Sequence, residues 1–120
     1  EKIENSEEKT KDFRDYILNI AIDYGGRDEI IRAINKVIRN KKQEISEQSF
    51  NHFLDTNNQP YPNPDLIIRT SGEMRTSGLM IWQAAYAEYV FLNKHFPDLN
   101  GKDIEDAIKE YSQRQRRFGK

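Results

Sequence analysis

Residues 62–88, PNPDLIIRTSGEMRTSGLMIWQAAYAE, decide how the rest of the chain is read. Turn formers Pro62, Asn63 and Pro64 lead into a short apolar run, Leu66, Ile67 and Ile68. The character then changes abruptly: positions 69–77 hold Arg69, Arg75, Glu73, Gly72, two serines and two threonines. Apolar and small residues return at Leu79, Ile81, Trp82, Ala84, Ala85 and Tyr86, and the stretch closes on Glu88. An apolar run bounded by prolines and a polar, glycine-bearing loop reads as a buried strand over 65–68. The loop then opens a helix over 78–87. Open α/β sheets collect ligands where strands end and helices begin, because loop amides and helix N-termini converge there. Two arginines in such a loop point to an anion, and phosphate suits their planar forks.

Upstream, Tyr16, Ile17, Leu18, Ile20, Ala21 and Ile22 form a near-continuous apolar run, which predicts a strand covered on both faces. It stops at Asp23-Tyr24-Gly25-Gly26-Arg27, where paired glycines permit tight turning and close backbone approach. Taken alone, that pair reads equally as a plain turn or as a phosphate loop. A helix follows, with Ile30, Ile31, Ile34, Val37 and Ile38 at helical spacing opposite Arg32, Lys36 and Arg39. Asp28 and Glu29 in its first turn suit the helix dipole. Ser46 is placed to cap a second, short helix whose apolar face is Phe50, Phe53 and Leu54. Residues 55–64 are a turn-rich connector.

Downstream, Tyr89, Val90, Phe91 and Leu92 predict a third buried strand, and Ile104, Ala107, Ile108 and Tyr111 a final amphipathic helix. Trp82, Tyr86 and Phe91 are expected in the core. Residues 1–12 are almost all polar and read as a frayed end or the remainder of a helix without its partner. The alternation of strands and helices is that of a single α/β domain. Right-handed crossovers set the loops after Ile22 and Ile68 at one sheet end. Three strands make a small, incomplete-looking sheet.

Bulk composition narrows the function. The 120 residues carry 19 Lys and Arg against 20 Asp and Glu, a net charge of −1, so no basic excess points to nucleic acid. With no cysteine there is neither a disulfide framework nor a thiolate metal site. No apolar run approaches the roughly 18 residues that span a bilayer, and no signal peptide is visible, so a cytoplasmic protein is expected. His52 and His95 are the two histidines, and no nucleophile–histidine arrangement can be built on them. The loop also lacks the lysine of a P-loop. Arg69 and Arg75, six positions apart with Thr70, Ser71 and Ser77 around them, offer what a diphosphate needs: several positive charges and many donors. Singly, each arginine could be a surface partner of Glu73 or Asp65. Their joint placement between a strand and a helix favours the anion site. Glu73 and Glu88 are candidates for Mg²⁺ or for orienting the arginines.

The segments AIDYGGRDEI (21–30), PDLIIRTSGEMRTSG (64–78), IWQAAYAE (81–88) and RRFG (116–119) follow in this order. Together they resemble the cis-prenyltransferases, the family of undecaprenyl and other polycis-polyprenyl diphosphate synthases. R-T-S-G-E-x-R with W-Q-x-A-Y-x-E is a highly specific combination, and its wording is closer to archaeal members. The resemblance implies a parallel-sheet, three-layer α/β fold, of which this chain holds the C-terminal part. It implies condensation of isopentenyl diphosphate onto an allylic diphosphate with formation of cis double bonds, Mg²⁺ as cofactor, a homodimer, and transient membrane association of the lipid product.

Residue by residue, Arg69, Arg75 and Ser77 would bind the diphosphate of isopentenyl diphosphate, and Asp65 and Glu73 would shape that site. Asp23, Gly25, Gly26 and Arg27 would lie near the allylic substrate and chain tunnel. Glu88 would stand near Mg²⁺ across a dimer interface. Arg117 and Gly119 match the family's C-terminal R-x-G, which reaches toward the partner's isopentenyl diphosphate site. Two departures stand out. Met74 sits where some members have a histidine near the metal, and no M-D-G-N-x-R-W-like loop, which supplies the family's catalytic aspartate, occurs in the chain. The implied protein is the C-terminal half of a synthase, inert by itself; a non-catalytic partner subunit is the alternative.

Overall fold

The computed structural model describes residues 2–13 and 15–114. In chain order these form helix α1 (Lys2–Thr10), helix α2 (Gly26–Arg39), the short helix α3 (Glu47–Phe50), strand β1 (Leu66–Arg69), strand β2 (Glu88–Phe91) and helix α4 (Gly101–Ser112). Single 3₁₀ turns follow α3 at Asn51–Phe53 and precede α4 at Phe96–Asp98. β1 and β2 pair in parallel, with Leu66 opposite Glu88 and Arg69 opposite Phe91. The crossover between them is the segment that the sequence marked out as decisive.

The core lies under α2 and α3. Ala33 is fully buried, Leu54 and Phe50 nearly so, and Ile30, Val37, Phe53 and Trp82 close around them. Phe50 and Trp82 meet edge to face with ring centroids 4.7 Å apart. The Trp82 indole N–H donates to Asn51 Oδ1 at 2.8 Å, so burying this ring leaves no donor unpaired. Burial of a side chain such as Leu54 contributes on the order of 2 kcal/mol. Local chemistry agrees with the predicted cap at Ser46, and the structure adds one at Asn100. Ser46 accepts from the Ser49 N–H at the start of α3, and Asn100 accepts from the Asp103 N–H at the start of α4. α1 buries no residue.

Several expectations are corrected. The apolar run 16–22 forms no regular element and joins no sheet, and Tyr16, Ile17, Leu18, Ile20 and Ile22 are exposed. Apolar composition gives a segment the capacity for a buried strand, but a strand forms only beside a ladder partner, and the described sheet has two strands. The segment 78–87 is a succession of turns and not a regular helix. Positive φ at Ser77, Gly78 and Met80 breaks the helical backbone path before it can propagate. On α2 the buried face runs through Glu29 and Ala33, leaving Ile31, Ile34 and Ile38 exposed. Tyr86 and Phe91 also lie outside the core, at 73% and 39% exposure. No helix among the described residues is long and apolar enough to cross a membrane.

Candidate functional site

At the C-terminal end of β1 the chain enters two consecutive copies of one tetrapeptide, Arg69-Thr70-Ser71-Gly72 and Arg75-Thr76-Ser77-Gly78. Each copy makes the same turn. In the first, the Glu73 N–H donates to the Thr70 carbonyl across Ser71 and Gly72, both at φ +65°. In the second, the Leu79 N–H donates to the Thr76 carbonyl across Ser77 (φ +50°) and Gly78 (φ +81°). Positive φ at both central residues is the signature of a type I′ turn, which puts glycine at its second centre at little cost. A serine in the left-handed region costs about 1–2 kcal/mol, so tertiary contacts must hold it there.

Those contacts differ. The first turn rests on the loop after β2: the Ser71 N–H donates to the Lys94 carbonyl (2.7 Å), the Gly72 N–H to the Leu92 carbonyl (2.9 Å), and the Leu92 N–H to the Arg69 carbonyl (2.7 Å). The Ser71 hydroxyl lies 3.2 Å from His95 Nδ1. The second turn rests on the start of α2, where the Gly26 N–H donates to the Gly78 carbonyl at 3.0 Å. A Cβ on Gly26 would stand 2.3 Å from that same oxygen, so only glycine fits. The paired-glycine loop and the arginine loop are therefore in direct backbone contact, which favours the close-approach reading of those glycines over a plain turn.

Between the two turns is a cavity of about 240 Å³. Arg69, Thr70, Ser71, Glu73, Arg75 and Thr76 give it a polar wall; Ile67, Leu79 and Tyr89 give it an apolar one. Arg69 reaches across to donate from Nη2 to the Ser77 hydroxyl at 3.0 Å. Arg75 pairs with Glu73 and remains 67% exposed. Two guanidinium forks and one carboxylate leave a formal charge of +1 among these groups, with hydroxyls and turn amides close by. That arrangement can neutralise and hydrogen-bond a small polyanion.

The remaining predicted residues lie elsewhere. Asp65 and Glu88 sit at the N-terminal end of the sheet, where the Glu88 N–H donates to the Asp65 carbonyl at 2.9 Å. By strand rise this is roughly 10 Å from the Arg69 end. The Glu88 carboxylate accepts from Arg114 Nη1 at 2.8 Å, and Arg114 also engages Glu110. Those two carboxylates, Glu88 first, push the guanidinium further into its charged form. No group of three His, Asp or Glu that could hold a metal ion occurs among the described residues. Asp23 adopts φ +52° just before the glycines, Gly25 is the N-cap of α2, and Arg27 is exposed on its first turn. Arg117 and Gly119 lie outside the described residues.

Glu29 is a residue that the sequence reading gave only a dipole role. It is 1% exposed. Its carboxylate accepts from the Asp55 N–H (2.8 Å), from Gln83 Nε2 (2.9 Å) and from the Tyr24 hydroxyl. Burial, followed by the bond to Glu29, pushes the Tyr24 phenol up from its ordinary range. This network ties the glycine loop, the connector after α3 and the 78–87 segment together beneath the second turn. Glu29 and Ala33 share a helix face at i, i+4, which is the one signal in the sequence for its burial. The Ser71–His95 contact joins residues 24 positions apart, and no local pattern announces it. The repeated Arg-Thr-Ser-Gly was visible in the sequence, but its significance as two equivalent turns was not.

Comparison with known proteins agrees with this geometry. The family model for putative undecaprenyl diphosphate synthases matches residues 1–119. An isoprenyl transferase of Fusobacterium nucleatum is 46% identical over 118 residues, covering 98% of this chain and 50% of that protein. A tritrans,polycis-undecaprenyl-diphosphate synthase (geranylgeranyl-diphosphate specific) of Methanocaldococcus jannaschii is 44% identical over 124 residues, covering 98% of this chain and 44% of that protein. Among solved structures, a probable undecaprenyl diphosphate synthase from Campylobacter jejuni superposes with TM-score 0.84 at 42% identity, over 99% of this chain and 55% of that one. Lavandulyl diphosphate synthase from Lavandula x intermedia, in complex with dimethylallyl diphosphate, gives TM-score 0.80 at 38% identity, over 83% of this chain and 45% of that one. The chain spans about half the length of the curated relatives it matches. With its α/β fold, its parallel strand pair and its arginine-bearing turns, this chain belongs to the cis-prenyltransferase family.

Proposed function

We propose that this chain is the C-terminal, isopentenyl diphosphate-holding part of a cis-polyprenyl diphosphate synthase. The observation that carries this is the cavity at the end of β1, where Arg69, fixed by Ser77, and Arg75 share one polar wall. The apolar side formed by Ile67, Leu79 and Tyr89 suits the short hydrocarbon of that substrate. In the reaction, the allylic carbon–oxygen bond breaks and diphosphate leaves. The isopentenyl alkene then forms the new carbon–carbon bond, and loss of a proton sets the cis double bond. The role of these residues is to bind and orient one diphosphate so that its alkene faces the electrophile. Mg²⁺ dependence is part of the proposal for the assembled enzyme, as are its homodimeric state and transient association of its lipid product with membranes. The metal site needs ligands beyond the residues described.

The test is incorporation of labelled isopentenyl diphosphate with farnesyl diphosphate and Mg²⁺, run on this chain beside a protein of full family length that carries it. Activity only in the longer protein is the expected result. With both proteins folded, activity in neither would replace this proposal with a non-catalytic partner subunit. Turnover by the short chain alone would show that no residue outside it is required.

A further inference from the structure

His95 was left without a role by sequence, yet it touches the wall of the cavity. Its Nδ1 is 3.2 Å from the hydroxyl of Ser71, one of the cavity-lining residues. The Ser71 backbone is held at φ +65° with its N–H bonded to the Lys94 carbonyl at 2.7 Å, which keeps the serine beside the loop that carries His95. We infer that His95 is a positioning residue that sets the direction of the Ser71 hydroxyl proton and thereby tunes how tightly the cavity holds a diphosphate. The inference rests on the anion-site reading above.

The argument is one of donors and acceptors. When Nδ1 carries no proton, the Ser71 O–H donates to it and presents only lone pairs to an anion. When the imidazole is protonated, Nδ1–H donates to the Ser71 oxygen, and the hydroxyl proton is free to turn into the cavity. The same protonation adds a positive charge behind the serine. The charged groups around the contact do not oppose it. Lys94 on the same loop is paired with Asp103 of α4 at 2.6 Å, and Glu73, across the cavity, is paired with Arg75. Arg69, at the strand end, is bonded to Ser77.

Isothermal titration of inorganic diphosphate into the chain at pH 6 and pH 8 tests this, with His95→Gln, Ser71→Ala and Arg69→Ala measured alongside. Taking the ratio against His95→Gln cancels the titration of the ligand itself. The parent chain should gain roughly three- to tenfold more affinity between pH 8 and pH 6 than His95→Gln does, the value of about one hydrogen bond. Ser71→Ala should remove the same increment, and combining the two substitutions should remove no more. His95 is exposed, so its substitution should leave the circular dichroism spectrum unchanged. Equal pH ratios in the parent and His95→Gln, with Arg69→Ala still weakening binding, would overturn the role of His95 and leave the cavity as the anion site. Unchanged binding in Arg69→Ala, or no binding by the parent at either pH, would overturn both.

Discussion

The two Arg-Thr-Ser-Gly turns are the same in sequence and in backbone shape, and they differ in everything that holds them. The first hangs from the loop after β2 by backbone bonds from Ser71 and Gly72. The second is wedged against the start of α2, with Gly26 and Gly78 in direct backbone contact above the buried Glu29 network. Their arginines differ accordingly. Arg69 begins inside a strand and is bonded to Ser77, whereas Arg75 stands out in solvent beside Glu73. Identical tetrapeptides yield identical turns because the positive-φ requirement is local. What each arginine can do is set by neighbours distant in sequence.

Breaking the second turn should have the largest effect. Gly26→Ala places a Cβ 2.3 Å from the Gly78 carbonyl oxygen, a backbone atom that cannot yield without moving the turn. The expected loss is about 3 kcal/mol or more of stability, read as a lower urea midpoint, with the 78–87 segment losing hydrogen-exchange protection first. If Gly26→Ala matched the parent, the contact between the two loops would be incidental.

Next in size is the contrast between the arginines. On the function proposed above, Arg69→Ala in a protein of full family length should cost one to several kcal/mol of isopentenyl diphosphate binding, seen as a raised KM. Arg75→Ala should cost less, because the free side chain is solvated and already paired with Glu73. Equal losses would mean that both forks are equally organised once substrate is bound.

A smaller effect compares the glycines within the turns. Gly72→Ala meets both an unfavourable φ and the Asn93 side chain, with a Cβ 2.6 Å from Oδ1, while Gly78→Ala meets the φ penalty with its nearest neighbour at 3.9 Å. Both should lose about 1–2 kcal/mol of stability. Gly72→Ala should lose the more, and Asn93→Ala should relieve only that difference. Identical losses, or relief of Gly78→Ala by the same second change, would show that the two turns are held alike.

The smallest effect is in the alkaline limb. Tyr24 beneath the second turn has its phenol pushed above the ordinary value of 10.0 by burial and by Glu29. A raised folded-state pKa contributes stability that is fully present below the unfolded value and is lost as pH rises through the folded one. Stability should therefore decline as pH is raised above about 10. Tyr24→Phe should flatten that decline, and an unchanged slope would remove Tyr24 from the network.

Much of the candidate site was legible before any coordinates, and the reasons are local. Arg69, Arg75 and Ser77 are separated by six and two residues, so one loop had to bring them together. The cap at Ser46 follows from residue type and its place before a helical run. Glu29, Gln83 and Tyr24 were not readable as a network, because burial of a carboxylate depends on donors arriving from 26 and 54 residues away. Asp65 was read as shaping the arginine site and Glu88 as standing near Mg²⁺ across a dimer interface; within the chain both lie at the end of the sheet away from Arg69.

By itself, then, the sequence determined the α/β class and the β1–loop–β2 crossover, with two arginines in the loop. These depend on apolar runs, turn chemistry and charge within a few residues of one another. Tertiary structure alone decided that 16–22 lies outside the sheet, that 78–87 winds as turns, and which histidine touches the Ser71 hydroxyl. Each of these depends on a partner supplied from elsewhere in the fold: a strand needs a ladder neighbour, a left-handed serine needs a loop to hold it, and a hydroxyl proton takes its direction from whatever accepts it.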